Sequence, residues 1–230
     1  MIGEPDPRLA LQLRSLGLGV SMLATTSLIG DYERGERGYL TVEGSLGRFM
    51  RALRQSLDLA LELDCRRLVV LAGPLASGSN GSAERGRLAE ALANAAEVAQ
   101  SAGVRLCLEP LNAPEHPGYA LADLQSALAV LRGVGHPSVR LLFDVYHLGI
   151  SEPNVCSALV EAAPFVEHVQ LADLPGRHEP GTGRLDFGRL FKTIRSAVPE
   201  ASLALEYHPA AGTEIGLARI PGELRAWLAT

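Results

Sequence analysis

Short apolar segments alternate with amphipathic segments along the chain, and this pattern predicts alternating strands and helices. Between the apolar segments, stretches such as SLGRFMRALRQSLDLALELD and ERGRLAEALANAAEVAQSAG repeat apolar residues near the 3.6-residue period and end in small residues, as helices do. Alternation of this kind predicts a parallel sheet covered by helices. The six predicted strands are GLGVSML near Leu18, RRLVVLAG near Val69, VRLCLEPLN near Leu106, VRLLFDVYH near Leu142, FVEHVQLAD near Val169 and ASLALEYHP near Leu205.

Two architectures satisfy this alternation, a closed barrel and an open doubly wound sheet. A nucleotide-binding open sheet would carry a glycine fingerprint after its first strand, and neither GxGxxG nor GxxxxGK[ST] follows any predicted strand. A barrel carries its chemistry at the C-terminal ends of several strands. Polar residues stand at four such ends, namely Glu109, Asp144, Gln170 and Glu206. We therefore predict an α/β TIM (β/α)8-type barrel that occupies residues 1–230 as a single domain.

The number of predicted strands is lower than a complete barrel requires. A complete barrel has eight strands in about 250 residues, whereas the pattern of this chain predicts six. The start, EPDPRLALQLRSLG, predicts a helix after a proline-rich stretch, so we expect a barrel that lacks its first one or two strands at the N-terminus. A late start codon, a partner chain that covers the gap and a degraded barrel are three open explanations. Exposed barrel edges also lead us to expect a homodimer.

Charge and cysteine content narrow the class of partner. The 230 residues carry a formal net charge of −5 without a block of like charge, which argues against nucleic acid or an acidic membrane as the main partner. We expect a small-molecule substrate. The three cysteines are widely spaced and lack a CxxC pair, which argues against a disulfide framework or a thiolate zinc site. No secretory leader or membrane-spanning stretch is visible, so we expect a cytoplasmic protein.

The four polar strand ends predict a metal site. Each side chain, taken singly, could equally be an ion-pair partner or a solvated strand end. Three carboxylates that face one barrel axis would repel one another unless a cation lay between them. Oxygen ligands without a thiolate favour Mg²⁺ or Mn²⁺ over zinc. The pattern therefore predicts a divalent metal, Mg²⁺ or Mn²⁺, held by Glu109, Asp144, Gln170 and Glu206.

A family resemblance supports this site. The segment EHVQLAD followed by GRHEPGTG, with GERG, EPLN, FDVYH and ALEY, resembles the hydroxypyruvate isomerase family of the xylose isomerase-like TIM barrels, from about Met22 onwards. The resemblance implies that the four strand-end residues are metal ligands and that Glu109 and Glu206 also move protons. It implies that His147 contacts a substrate oxygen and that Arg177 or Glu179 lines a loop over the site. Arg177 is also our candidate partner for a substrate carboxylate.

The resemblance also implies a reaction. We expect a metal-dependent, aldose–ketose type isomerase that interconverts hydroxypyruvate and 2-hydroxy-3-oxopropanoate (tartronate semialdehyde), or a similar small hydroxy-oxo acid, through an enediolate. A pair of bases on opposite faces of the substrate would also permit epimerisation, so a ketose 3-epimerase or sugar isomerase is the alternative. The DNA-repair endonuclease branch fits poorly, because the chain has only six histidines and no visible basic groove. A non-catalytic barrel that binds a metal or a metabolite is a further alternative.

Other polar residues near these motifs have weaker indications. His168 lies two residues before Gln170 and could orient that ligand without contacting the ion, although a buried histidine bound to a carbonyl is equally common. Glu36 and Arg37 could form an exposed charge pair or belong to a substrate loop. Trp227 is expected to be a packing residue.

Overall fold

A computed structural model describes residues 8–220 and residue 222, and in this part of the chain five parallel strands form a single sheet. Strand order follows chain order, and each strand pairs in parallel with the next. This confirms the predicted xylose isomerase-like barrel architecture, here as a half-barrel. Trp227 lies outside the described residues. The strands are β1 (Arg67–Val70), β2 (Arg105–Leu108), β3 (Val139–Asp144), β4 (Val166–Leu171) and β5 (Ser202–Leu205).

The helices of the described residues alternate with these strands and cover the outer face of the sheet. None of them is both long enough and apolar enough to cross a membrane. They are α1 (Leu9–Ser15), α2 (Thr26–Ile29), α3 (Leu46–Glu62), α4 (Ser82–Ser101), α5 (Leu124–Val134), α6 (Val145–Ser151), α7 (Val155–Ala162), α8 (Phe187–Ala197) and α9 (Thr213–Arg219).

Local sequence explains where these helices lie. In α3 the residues Phe49, Leu53 and Leu57 recur every four positions and are buried, so one face of the helix packs against the sheet. The side chain of Asp123 accepts a hydrogen bond from the backbone of Ser126 and caps the start of α5, and Gly135 ends that helix in a left-handed conformation. The structure has helices at the three segments where the sequence predicts them, α1, α3 and α4, which confirms those predictions.

The predicted first strand, GLGVSML, is not a strand in the structure. Only Leu23 pairs with the sheet: its N–H donates to the carbonyl of Arg67 (3.0 Å), and its carbonyl accepts from Val69 (2.9 Å). Gly17 has a φ of +67°, which extended backbone does not use, and α2 begins at Thr26. The residues between Gly17 and Thr26 are irregular apart from the single bridge at Leu23, so they form no ladder with β1. The sheet therefore has five strands in the described residues rather than six.

A cluster of ions at the N-terminal ends of the strands shows that the sheet curves. Arg67 of β1 and Glu167 of β4 are separated by two strands in the sheet, yet Arg67 Nε lies 3.1 Å from Glu167 Oε1. Arg105 and Arg140 pair with the other oxygen of the same carboxylate, at 3.5 and 3.8 Å. A flat sheet would hold β1 and β4 about 14 Å apart, at ~4.8 Å per strand. One carboxylate therefore joins four consecutive strands at the floor of the half-barrel.

We predict that Glu167→Gln destabilises the protein by about 1–3 kcal/mol, because it leaves three partly buried guanidinium groups around an uncharged amide. The side chain of Glu167 is 18% exposed, so water screens the cluster only in part. Chemical denaturation followed by circular dichroism measures the change in the free energy of unfolding.

Glu161→Gln is the matched control for this measurement. Glu161 pairs with Arg132 at 4.0 Å, and about half of each side chain is exposed. The control is expected to change the free energy of unfolding by less than about 0.5 kcal/mol. Equal effects of the two substitutions would contradict a structural role for the Glu167 cluster.

Candidate active site

A cavity of about 650 Å³ lies at the C-terminal ends of the strands. In barrels of this kind the loops that follow the strands meet at this end, which is where active sites form. The cavity brings together most of the polar residues that the sequence indicates. Its lining includes Tyr32, Arg37, Glu109, His168, Gln170, Arg177 and Glu206.

Glu109 directly follows β2 and is almost fully buried, with 8% of its surface exposed. Its backbone is held on both sides: its N–H donates to Val70 (3.2 Å), and its carbonyl accepts from the hydroxyl of Tyr119 (2.9 Å). No described residue donates a hydrogen bond to its carboxylate. The backbone is therefore fixed while the side chain keeps its oxygens for a ligand.

Asp144 ends β3 and also caps α6. One carboxylate oxygen, Oδ1, accepts hydrogen bonds from the backbone N–H groups of Tyr146 (2.7 Å) and His147 (3.4 Å). The other oxygen, Oδ2, lies 2.7 Å from Nη2 of Arg177. Asp144 is 1% exposed, and Arg177 lies between its Oδ2 and the open part of the cavity.

Glu206 directly follows β5 and contacts the same guanidinium nitrogen. Its Oε2 lies 2.7 Å from Nη2 of Arg177, so a single nitrogen lies between the carboxylates that follow β3 and β5. About half of the Glu206 side chain is exposed. It lies at the mouth of the cavity, where water screens its charge more than it screens the charge of Asp144.

Gln170 and His168 lie on the inner face of β4 and line the cavity, as their spacing of two predicts. Gln170 is paired with Asp144 across the β3–β4 ladder. Its Oε1 is buried and has no hydrogen-bond partner among the described residues. Nδ1 of His168 lies 2.5 Å from the hydroxyl of Ser202, and burial, followed by the charge of Arg67, lowers the pKa of His168 to about 4. His168 is therefore a neutral residue below the carboxylates.

The electrostatics of the cavity come from three acids, from Arg177, which contacts two of them, and from Arg37, which lines the same cavity. Burial and the charges of Glu206 and Asp144 raise the pKa of Glu109 well above its usual range. Burial also raises the pKa of Asp144, against the opposing effects of Arg177 and of the backbone hydrogen bonds. Burial and then the charge of Asp144 raise the pKa of Glu206. The site therefore holds more negative charge than its own residues neutralise.

Asn112 determines the tautomer of His147. The backbone N–H of Asn112 donates to Nδ1 of His147 (3.3 Å), and the side-chain amide nitrogen lies 2.8 Å from the same atom. The amide is oriented because its oxygen accepts from the backbone of Glu115 (3.0 Å). Burial, followed by the charge of Arg177, lowers the pKa of His147 to about 3. His147 is therefore neutral with its proton on Nε2, which lies 3.7 Å from Oδ2 of Asp144.

The loop that carries Arg177 is organised by a buried aspartate. The carboxylate of Asp173, which is 0% exposed, accepts hydrogen bonds from the backbone N–H groups of residues 174, 181, 183 and 185, at 2.7 to 3.1 Å. Gly183 permits this fold, since a Cβ there would lie 2.0 Å from the carbonyl oxygen of Leu174. Arg177 itself has a φ of +56°, and its carbonyl accepts from His208 (2.7 Å). The loop therefore holds Arg177 over the ends of β3 and β5.

Two residues that the sequence associates with substrate lie elsewhere. Glu179 is 1% exposed, and both of its carboxylate oxygens lie 3.3 Å from the backbone N–H of Ala210, so it is buried against the segment after β5 rather than in the cavity lining. Glu36 does not pair with Arg37. Its Oε2 accepts from the backbone of Asp31 (2.8 Å) and lies 3.3 Å from Nη2 of Arg48. Both glutamates therefore stabilise loops.

The residues of the site fit a divalent cation. A buried amide oxygen without a partner, on Gln170, lies beside carboxylates whose pKa values are raised by burial and, for Glu109, also by the charges of Glu206 and Asp144. Ligand atoms of Glu109, Asp144 and His147 lie within 4.8 Å of one another. His147 is the less suitable ligand of the three, because Nδ1 accepts from Asn112 and Nε2 carries the proton. A hard cation matches the remaining oxygen donors.

Sequence reasoning missed Asn112 and Asp173, although both stand in quoted motifs, EPLN and EHVQLAD. An asparagine three residues after a strand-end glutamate, and an aspartate before a loop rich in proline and glycine, are signals that could have indicated them. Tyr146 and Glu115 were also missed. The Tyr146 hydroxyl hydrogen-bonds to Glu115, which in turn accepts from the side-chain amide of Asn112 (3.1 Å).

Comparisons with known proteins agree with the barrel fold. The family model described as a xylose isomerase-like TIM barrel matches residues 8–227. A putative hydroxypyruvate isomerase of Mus musculus is 33% identical over 93% of this chain and 79% of its own length. The 2-oxo-tetronate isomerase of Cupriavidus necator is 31% identical over 86% of this chain and 76% of its own. A crystal structure named AP endonuclease, family 2, from Brucella melitensis superimposes with a TM-score of 0.87 at 29% identity, over 94% of this chain and 84% of that one.

We predict that Glu109→Gln stabilises the metal-free protein at pH 7–8 by about 1–2 kcal/mol. The pKa of Glu109 is raised in the folded state, so protonation of this residue favours folding. Its contribution to the free energy of unfolding is complete below the usual carboxyl pKa and is lost as pH rises through the raised pKa. Glutamine is neutral at every pH, so the variant does not lose this stability as pH rises. Urea denaturation in a chelating buffer between pH 5 and pH 8 measures the difference.

The advantage of the variant should shrink as pH falls, because the raised pKa makes Glu109 of the parent protein take up a proton at a higher pH than a solvated carboxylate does. Glu90→Gln, at an exposed position of α4, serves as the control and should leave the pH profile unchanged. A constant difference between Glu109→Gln and the parent across the whole pH range would contradict the raised pKa.

Proposed function

Since the chain belongs to the xylose isomerase-like TIM barrel family, we propose that it isomerises a short hydroxy-oxo acid, with hydroxypyruvate as the first candidate. The two sequence relatives described above are named as isomerases, which agrees with the prediction of an aldose–ketose type enzyme. The observation that carries the proposal is the convergence of Glu109, Asp144, Gln170 and Glu206 on one cavity end, with more negative charge than Arg177 neutralises.

The proposed reaction moves one hydrogen between neighbouring carbons. A base removes a proton from C3 of hydroxypyruvate, which leaves an enediolate, and a proton returns to C2. The hydroxyl proton on the C3 oxygen passes to the C2 oxygen. The oxygen on C3 thus becomes the aldehyde and the oxygen on C2 becomes the hydroxyl, so the product is 2-hydroxy-3-oxopropanoate. No oxidant or second substrate is required.

Glu109 and Glu206 are the candidate bases. They follow different strands, β2 and β5, and approach the cavity from two sides. A positioned carboxylate base contributes about 10²- to 10⁴-fold to the rate. We propose that one of the two takes the C3 proton and that the same or the other residue delivers it to C2.

We propose a divalent cation, Mg²⁺ or Mn²⁺, at the oxygens of Glu109, Asp144, Gln170 and Glu206. When bound, it supplies positive charge to the two neighbouring oxygens of the substrate, which acidifies the C–H bond beside them. His147, neutral with its proton on Nε2, is the donor proposed for a substrate oxygen. Asp144 and His147 are buried, which keeps water from competing for their hydrogen bonds.

We predict that the purified chain converts hydroxypyruvate to 2-hydroxy-3-oxopropanoate only when supplied with Mg²⁺ or Mn²⁺ after chelation. Proton NMR in heavy water follows both the conversion and the exchange of hydrogen at C2 of the product. Glu206→Gln should lower the metal-restored rate by about 10²- to 10⁴-fold, because it removes a base without changing the size of the side chain.

The control for this experiment is Glu90→Gln, whose side chain lies on the exposed face of α4. Full activity in Glu206→Gln would contradict the role proposed for that residue. Turnover of a free ketose without turnover of hydroxypyruvate would select the epimerase alternative. A folded, metal-binding chain that acts on neither substrate would favour the non-catalytic barrel.

We predict that Asn112→Asp lowers the turnover number by about 10- to 100-fold, the range typical for residues that orient a catalytic group. An aspartate would favour a proton on Nδ1 of His147 and so remove it from Nε2. Nitrogen-15 NMR of the histidine ring reports the tautomer directly, and this readout would not respond to a general loss of packing.

The matched control is Asn94→Asp on the exposed surface of α4, where the side chain donates only to the carbonyl of Glu90. An unchanged His147 tautomer in Asn112→Asp would contradict the role assigned to Asn112, whatever the effect on turnover.

A further inference from the structure

The proposed function leaves the carboxylate of the substrate without a partner, and the inference made here rests on that function. An enclosed carboxylate requires a cation or several N–H donors. The sequence indicates Arg177 for this role, but its Nη2 is already 2.7 Å from Asp144 Oδ2 and 2.7 Å from Glu206 Oε2. A third carboxylate beside this nitrogen would be repelled by these two acids.

Arg37 is a second guanidinium group in the same cavity. It lines the main cavity and also an adjoining cavity of about 510 Å³. Unlike Arg177, it has no carboxylate oxygen within 4.0 Å in the described part of the chain. Its Nε is buried and has no hydrogen-bond partner among the same residues. Arg37 therefore combines an uncompensated positive charge with an unused donor.

The guanidinium group of Arg37 is held in place before any ligand arrives. Its central carbon lies 3.2 Å from the centre of the Tyr32 ring. Its Nη1 donates to the carbonyl oxygens of Tyr32 (3.2 Å) and Glu36 (2.9 Å). Because the side chain is already ordered, binding an anion costs less conformational entropy than it would for a free arginine.

The loop beneath Arg37 is also fixed. Gly38 has a φ of +78°, and a Cβ there would lie 2.2 Å from the carbonyl oxygen of Leu71, so only glycine allows the loop to lie against the end of β1. The N–H of Gly38 donates to Ile29 (2.6 Å). Glu36 joins Asp31 to Arg48. These contacts hold the GERG segment in place, and of its four residues only Arg37 lines the main cavity.

We propose that Arg37 binds the carboxylate of the substrate and thereby selects short hydroxy-oxo acids over uncharged sugars of the same length. The planar guanidinium carries donors that match the two oxygens of a carboxylate. The anion would lie on the Tyr32 side of the cavity, while the carbon chain extends towards Glu109. Arg177 keeps its separate function of holding Asp144 and Glu206 together.

Calorimetric binding of glycerate and of its uncharged amide, glyceramide, to the full-length chain tests this proposal without requiring turnover. The parent protein is expected to bind glycerate at least 10-fold more tightly than glyceramide. Arg37→Gln is expected to weaken glycerate binding by about 10- to 100-fold, the range for a charge-assisted hydrogen bond, and to leave glyceramide binding within about 3-fold. Arg37→Lys, which keeps the charge but not the planar fork, should be intermediate and serves if the glutamine variant does not fold.

Arg34→Gln is the matched control, because Arg34 lies on the same loop, is 85% exposed and pairs with Asp31. It should leave both affinities unchanged. Equal weakening of glycerate and glyceramide in the Arg37 variants, or no preference for glycerate in the parent protein, would overturn the proposal. A parent protein that binds glycerate through Arg37 but does not isomerise hydroxypyruvate would refute the proposed function alone.

Discussion

The curvature of a short parallel sheet is the constraint on which the rest of this structure depends. Four consecutive strands begin around one carboxylate, Glu167, which pairs with three arginines at the floor of the half-barrel. Curvature at the floor turns the inner faces of the strands towards one another. Side chains that are far apart in the chain, such as Glu109 and Glu206, can therefore share a cavity at the other end.

The two ends of the half-barrel have opposite charge patterns. At the floor, three guanidinium groups surround one carboxylate, and partial exposure to water reduces the repulsion among them. At the top, three carboxylates face two guanidinium groups, Arg177 and Arg37, and the burial of Glu109 and Asp144 strengthens the repulsion between these two acids. Water can screen the excess positive charge at the floor, whereas the buried negative charge at the top needs a cation or protons to neutralise it. This asymmetry gives a physical reason to place the chemistry at the top.

Much of the site is supported by residues that contact no ligand in our proposal. Asp173 accepts hydrogen bonds from the backbone of the loop that carries Arg177, and Asn112 orients His147. Gly38 allows the loop of Arg37 to lie against the end of β1. Each of these residues acts through hydrogen bonds or close backbone contacts. Such support holds the side chains of a site in place without the entropic cost of ordering them on binding.

The sequence by itself determined the alternation of strands and helices and the polar residues at the strand ends, because these depend on side-chain periodicity and on neighbours in the chain. Glu109, Gln170 and Glu206 accordingly line one cavity, with Asp144 directly behind Arg177. Only the tertiary structure decided that Arg177 is already paired, that Glu179 is buried against Ala210 and that Arg37 has no carboxylate oxygen within 4.0 Å among the described residues. Pairing between residues distant in the chain depends on how loops after different strands meet, and local sequence carries no signal for those distances. The predicted first strand failed for the same reason, because the local sequence does not show that only Leu23 of this segment reaches the backbone of β1.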